Sequence, residues 1–421
     1  MKLWVIEIGE PLPVESDVRL LRYGEITKAL SKYGHDVIWW TSGFSHAAKR
    51  HVCDRDRDIM MDGVMLRMVK GPGYGRNISW QRVRHQKHFA ARFRILAEGC
   101  DLPEVIICTV PTIETAKTAV EFADRHNIPI LIDIRDEWPD EFVDLAPKPF
   151  RKLVRLILYS YFKDMEYICR NATGIIAVSK SFLEYGISFA NRKIGLNDGV
   201  FPLGYSAQFI APEKMTDAKV WWQKQGVDGS AFTCCFLGTI GKFFNLETVI
   251  RAAKILSKEM DIQFVMCGSG SSLERYKREA AGIESVVFPG WVDAPKIAAL
   301  MGMADVGLAP YAANTRMSLP NKPFEYFSGG LPVVSSIQGE LKQILAEHCC
   351  GITYDPDSVS GLCDCLRKLN NDKKLYESMS RNASRLYRER YSMKHISKAY
   401  HEHLVNVVHN FRNIRRQCNE K

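Results

Sequence analysis

Short apolar runs alternate with helical stretches along nearly the whole chain. In the first half, residues 3–8, 36–41, 63–69, 105–108, 130–134 and 174–178 read as strands. Between them, residues 19–33, 79–97, 113–126, 151–170 and 181–185 carry apolar positions at three- and four-residue spacing, which predicts helices. Gly34, directly after Tyr33, reads as the glycine that ends the first helix. A second series starts near Phe232, with strands at 233–237, 262–267, 285–288, 306–310 and 331–335 and helices at 246–259, 272–281, 295–301, 321–328 and 339–347. Strands that are apolar at every position and alternate with helices predict parallel sheets covered on both faces. The expected class is therefore α/β, with two Rossmann-like, doubly wound domains facing across a cleft. Residues 197–206 are dense in turn formers, and a weakly periodic polar stretch follows to Asp228, which reads as a linker. The expected domains are 1–203 and 204–389, with C-terminal helices at about 390–421 packing back on the first. Ligand contacts are expected on loops at the carboxyl ends of the strands.

Composition narrows the class. With 421 residues, 46% of them hydrophobic and 25% charged, disorder and fibrous repeats are excluded. No stretch reaches the ~18 consecutive apolar residues of a membrane span; even 153–168 carries Arg155, Lys163, Asp164 and Glu166. The chain enters a strand-like run from Met1 without a signal-peptide pattern, so a cytoplasmic location is expected. Its twelve cysteines lack zinc-site spacing and read as free thiols. The net charge is 57 − 48 = +9, and it is unevenly spread. Arg76, Arg82, Arg84, Lys87, Arg92 and Arg94 fall in one stretch without an acid, interleaved with Trp80 and Phe89; residues 148–163 and the tail from Arg381 are also basic. Such clusters attract nucleic acid, acidic lipid headgroups or diphosphates, although each alone also fits a solvated helix face.

The segment Ser318-Leu-Pro-Asn-Lys-Pro-Phe-Glu-Tyr326 carries the most chemistry. Pro320 fixes the chain before a short helix, whose first N–H groups suit phosphate oxygens. Lys322 adds a cation in the first turn, and Glu325, one turn on, suits the two hydroxyls of a ribose. An ordinary helix with a surface glutamate is the competing reading. Gly268-Ser-Gly270, between a strand and a helix, is a fragment of a dinucleotide fingerprint. Asp133-Ile-Arg-Asp-Glu-Trp-Pro139 ends a central strand where charged side chains meet ligands, unless Arg135 and Asp136 simply pair with each other.

Taken in order, Gly9-Glu-Pro-Leu-Pro13, Gly34-His-Asp-Val-Ile-Trp-Trp-Thr-Ser42 with Phe44-Ser-His46, Asp133 to Asp140, Ala177-Val-Ser179, Val200-Phe-Pro-Leu-Gly-Tyr205, Phe236-Leu-Gly-Thr-Ile-Gly241, Cys267-Gly-Ser-Gly270, Pro289-Gly-Trp-Val292 and the Pro320-Asn-Lys-x-x-Glu-Tyr326 segment resemble glycosyltransferase family 4. The resemblance covers nearly the whole chain and is nearest to the branch that assembles bacterial O-antigen, capsule and exopolysaccharide, typified by fucosamine transferases. It implies the GT-B fold and a retaining, metal-independent transfer from a nucleotide-sugar.

The resemblance also implies roles. Glu325 matches the second glutamate of the family's E-x7-E element, which holds the ribose, while Met317, eight residues earlier, stands in the place of the first. Backbone groups of Ser318, Leu319, Pro320 and Asn321 then cradle the diphosphate, helped by Lys322 and Lys242; Gly238 stands without the arginine usual beside it. The base is expected against Gly268 and Gly270 and against the backbone of Trp291 and Val292, with the Trp291 ring itself filling core. On the acceptor side Arg135 faces a phosphate or carboxylate, Asp136 orients or deprotonates the acceptor hydroxyl, and Gly9 and Glu10 line the transferring group, Glu10 through hydroxyls. His46 is a weaker candidate of the same kind. No metal ligand and no cofactor are expected, since helix N-termini and lysines take the place of a divalent ion and the nucleotide-sugar is a substrate. Expected partners are that donor, a glycan or polyprenyl-diphosphate-linked acceptor and an anionic membrane surface on the inner face, with no specific nucleic acid. A sugar-nucleotide 2-epimerase of the same fold and a basic, non-catalytic scaffold are the alternatives.

Overall fold

The computed structural model describes residues 1–14, 20–313, 315 and 318–419. Its contacts divide the chain into one unit of Met1–Leu203 with Ile396–Lys421 and a second of Gly204–His395.

The first unit is built on an eight-stranded sheet. In spatial order its strands are Gly199–Val200, Gly174–Ala177, Ile130–Ile134, Val105–Val110, Lys2–Ile6, Asp36–Ser42, Val64–Val69 and Arg57–Met61. All pair in parallel except the last, an antiparallel edge. Arg57–Met61 was not expected from the sequence, because an exposed edge strand needs no apolar run. Chain order reverses between Lys2–Ile6 and Val105–Val110, which makes the loops after these strands the place for a ligand. Alternate residues enter opposite layers. Trp4, Ile6, Trp40, Ile106 and Ile132 join one core with Phe93 and Phe122, and Leu3, Val5, Val37 and Ile107 are buried on the other side. Trp4 lies 5.4 Å from Phe122, stacked, and 5.2 Å edge-on from Trp40.

The second unit has six parallel strands in the order Val286–Gly290, Ile262–Cys267, Phe232–Leu237, Val306–Ala309, Val333–Ser335 and Gly351–Thr353. Here too successive residues part company. Cys235, Leu237, Val265 and Cys267 belong to one core, and Cys234, Phe236, Phe264 and Met266 to another. Helices on both faces therefore follow from strands with no polar side.

Two expected elements differ. The helix expected over 151–170 is two, Arg151–Ile157 and Tyr159–Asn171, turning at Leu158. The expected linker holds a helix, Pro212–Lys224, which buries only Ala218 and Trp222 and so carries little apolar periodicity. The last helix, Met393–Asn419, belongs to the first unit from Ile396 onward. The described cysteines are free, and no helix among the described residues is long and apolar enough to cross a membrane.

Candidate functional site

In the second unit, a pocket of about 240 Å³ opens at the carboxyl ends of Phe232–Leu237 and Ile262–Cys267. Five expected residues line it: Gly238, Gly268, Trp291, Val292 and Lys322. Backbone bonds tie the loops together, with the Gly238 N–H donating to Cys267 O at 3.1 Å and the Gly268 N–H to Gly290 O at 2.8 Å. Gly268 is required for this closeness. Its φ is +141°, and a Cβ there would stand 1.8 Å from Gly238 O.

The floor is the helix Lys322–Ser328, which buries five of its seven residues. Tyr326 fastens it to the sheet: its hydroxyl donates to Leu308 O and accepts the Leu237 N–H, both at 3.0 Å. Gly307 leaves the room, since a Cβ would meet the Tyr326 ring at 2.3 Å. One turn of this helix brings Lys322 Nζ to 3.0 Å from Glu325 Oε2, with Glu325 buried and Lys322 partly open to the pocket. A cation and a carboxylate thus stand together below two glycine loops.

Some expected donor residues are placed otherwise. The Trp291 ring, expected in the core, is 74% exposed at the pocket rim, whereas Val292 is buried. Lys242 is exposed, lies 5.3 Å over the Phe243 ring and does not line the pocket. Gly270 does not line the pocket, and a Cβ there would stand 2.3 Å from Ile240 O. In the expected cradle Pro320 has no N–H to give, Leu319 is in the core, and the Ser318 hydroxyl accepts the Glu340 N–H at 2.8 Å, capping the next helix. Asn321 is exposed. Met317 lies outside the described residues. Thr239 and Ser269 also line the pocket; their neighbouring glycines were the only signal that pointed at them.

In the first unit the residues after Lys2–Ile6 form a second constellation. Buried Glu7 accepts the Gly9 N–H at 2.8 Å and the Glu10 N–H at 2.9 Å, fixing the loop. Burial first, and then the Glu10 charge, push the Glu7 carboxyl up to about 7. Sequence reasoning passed over Glu7, although an acid ending an apolar strand was the available sign. Glu10, expected to meet substrate hydroxyls, is buried with both oxygens engaged. Its Oε2 accepts the Tyr23 N–H at 2.8 Å at the start of helix Arg22–Lys32, and Arg135 Nη1 stands 2.8 Å from Oε1. Glu10 therefore anchors a helix N-terminus and positions Arg135.

Arg135 pairs with Glu10 and, at 3.6 Å, with Glu7. It does not pair with Asp136. Asp136 lies at the surface of its unit, and crowding together with the Glu141 charge raises its carboxyl to about 6. Such a group exchanges protons near neutrality. His46 accepts or donates a hydrogen bond with Tyr74 and is half buried; burial and the Lys49 charge lower its pKa to about 4, so it is neutral at pH 7. Beneath, Arg22 Nε meets Asp133 Oδ2 at 3.0 Å with both side chains fully buried. Among the described residues no group of three or more His, Cys, Asp or Glu is placed to hold a metal.

Residues 231–372, which include the pocket, match the family model described as glycosyl transferases group 1. A curated relative, 2-deoxystreptamine N-acetyl-D-glucosaminyltransferase of Niallia circulans, is 25% identical over 151 residues, which span 35% of this chain and 38% of that relative. Among solved structures, sucrose-phosphate synthase from Thermosynechococcus elongatus aligns with TM-score 0.70 at 13% identity, covering 96% of this chain and 98% of that one. Anabaena HepE in complex with UDP aligns with TM-score 0.68 at 13% identity, covering 96% and 99%. The group 1 match over the pocket and the two-domain architecture shared with these structures support a glycosyltransferase of the GT-B fold.

Proposed function

We propose that the protein is a retaining glycosyltransferase of family 4 that moves a sugar from a nucleotide-sugar to a glycan or polyprenyl-diphosphate-linked acceptor in surface polysaccharide synthesis. The observation that carries the reading is the convergence of Gly238, Gly268, Trp291, Val292 and Lys322 on one pocket, with Glu325 beside Lys322. In this reading Lys322 holds the diphosphate and Glu325 leaves it to accept the ribose hydroxyls. The exposed Trp291 and the Val292 backbone meet the base. Catalysis is positioning plus stabilisation of the departing diphosphate, with no nucleophile from the protein. Asp136, raised toward neutrality, orients or deprotonates the acceptor hydroxyl, and Arg135, held by Glu10, faces an anion. The enzyme works at the cytoplasmic face of the membrane, with the basic helices of its first unit toward anionic lipid.

The test is thermal stabilisation by UDP-, GDP-, dTDP- and CMP-linked sugars and the free nucleotides without added metal. HepE was crystallised with UDP, so UDP is the first to try. A ligand at a hundred times its Kd adds about 2.7 kcal/mol, which for a unit of this size raises the melting temperature by roughly 5–10 °C. Failure of the whole panel, nucleotides included, overturns the donor-site reading.

A further inference from the structure

Glu7, Glu10 and Arg135 stand together in the first unit, with Arg135 Nη1 2.8 Å from Glu10 Oε1 and 3.6 Å from Glu7 Oε1. Two carboxylates and one guanidinium leave the cluster one negative charge in excess. The acids are closed off, with side chains 5% and 2% exposed for Glu7 and Glu10, whereas that of Arg135 is 21% exposed. Arg135 is therefore the member of the cluster that a solute can reach. Among the described residues its Nε and Nη2 make no hydrogen bond, so both keep donors to give to an anion.

An anion site on a cluster of negative charge is a conflict, and a proton resolves it. While Glu7 is ionised, an anion on Arg135 meets two carboxylates that already share the guanidinium. Protonating Glu7 makes the cluster neutral and leaves Arg135 one charged partner, Glu10. Burial and the Glu10 charge hold the Glu7 carboxyl at about 7, so this proton is within reach at neutral pH. Its cost is local: the two Glu7 oxygens accept the Gly9 and Glu10 N–H groups, and a protonated carboxyl commits one oxygen to its own O–H.

The surrounding elements offer little competition for the proton. Cys108, on Val105–Val110, and Tyr74 both feel the Glu7 charge, but burial pushes both up and keeps them neutral. Strand Asp36–Ser42 gives Glu7 only the Trp39 indole and the Trp40 carbonyl, neither of which titrates. On the far side of Arg135, Asp133 is paired with Arg22, and Tyr23, whose ring lies 5.8 Å from the guanidinium, is pushed up by burial. Asp136 also feels the Arg135 charge and does titrate, near 6.

We propose that Glu7, Glu10 and Arg135 form a proton-coupled anion site, in which a phosphate or carboxylate of the acceptor settles on the free nitrogens of Arg135 as Glu7 takes up a proton. The proposal rests on the reading of Arg135 as an anion contact and adds the condition under which that contact forms. The proton stays on the scaffold; what the anion gains is the guanidinium.

The experiment is calorimetric titration of the full chain carrying Asp136→Asn with sodium sulfate at constant ionic strength. Sulfate keeps both its charges between pH 6 and pH 8, and the substitution removes the second titrating carboxyl beside Arg135. Affinity is expected to fall about tenfold from pH 6 to pH 8, the scale on which a neighbouring like charge acts on a carboxyl. Heats compared in buffers of different ionisation enthalpy should show proton uptake with sulfate, a readout that needs no change at Glu7. Adding Glu7→Gln should abolish both the pH dependence and the uptake. Sulfate bound through Arg135 equally at both pH values, or a pH dependence that persists in Glu7→Gln, overturns the coupling alone. Binding that Arg135→Gln leaves intact overturns the anion role of Arg135 itself, and the coupling falls with it.

Discussion

Arg22→Met should destabilise the first unit by about 3–5 kcal/mol, the usual loss when one partner of a buried ion pair is removed. The Arg22 and Asp133 side chains are both fully buried, and the Tyr23 hydroxyl donates to the same Asp133 oxygen at 2.6 Å. Arg22 Nη1 also donates to the main-chain oxygens of Phe201 and Pro202. Methionine fills much of the volume but leaves a carboxylate in the core and two carbonyls without their donor. Denaturant unfolding that resolves the transition of the first unit measures the loss. Adding Asp133→Leu to Arg22→Met should return a large part of the stability, because a buried pair replaced on both sides by apolar groups is often neutral. A single variant within 1 kcal/mol of the parent, on the order of an exposed pair's worth, would contradict a buried bond.

Glu325→Gln should cut nucleotide-sugar affinity about 10- to 100-fold, since a hydrogen bond to a charged group contributes about 1.5–3 kcal/mol and each 1.4 kcal/mol is tenfold. Glutamine keeps the shape and volume of this buried side chain, so folding is spared. It removes the charge that meets Lys322 at 3.0 Å. The loss should appear in donor binding by calorimetry and in kcat/KM, with acceptor KM unmoved. Unchanged donor affinity would remove Glu325 from the ribose role.

The fold was readable because its strands are apolar at successive positions; Cys234-Cys235-Phe236-Leu237 feeds two cores at once and admits no exposed face. The 240 Å³ pocket of the second unit was readable where its chemistry is local, as with Gly268 after a strand and Lys322 one turn before Glu325. Misplaced residues are those whose role depends on distant partners. Glu10 finds Tyr23 and Arg135, and Ser318 finds Glu340. Trp291 misled because a tryptophan after Pro-Gly reads as core, yet the turn at Gly290 leaves it at the rim. Helices Val359–Asn371 and Lys373–Leu386 went unassigned, although Leu362, Cys363, Leu366 and Leu369 keep a helical period in the first of them.

The Glu7 carboxyl near 7 has a bearing on how the kinetics are interpreted. Its oxygens face inward to the Gly9 and Glu10 amides, so its proton belongs to the scaffold and not to the reaction. A bend near pH 7 in a rate profile would then report the loop loosening or tightening its own grip. If Asp136 is the acceptor base proposed above, the inflection of proton transfer falls lower, near its value of about 6. Rate and backbone amide exchange followed over the same pH range would tell the two apart, since only the first proton is written into the shape of the loop.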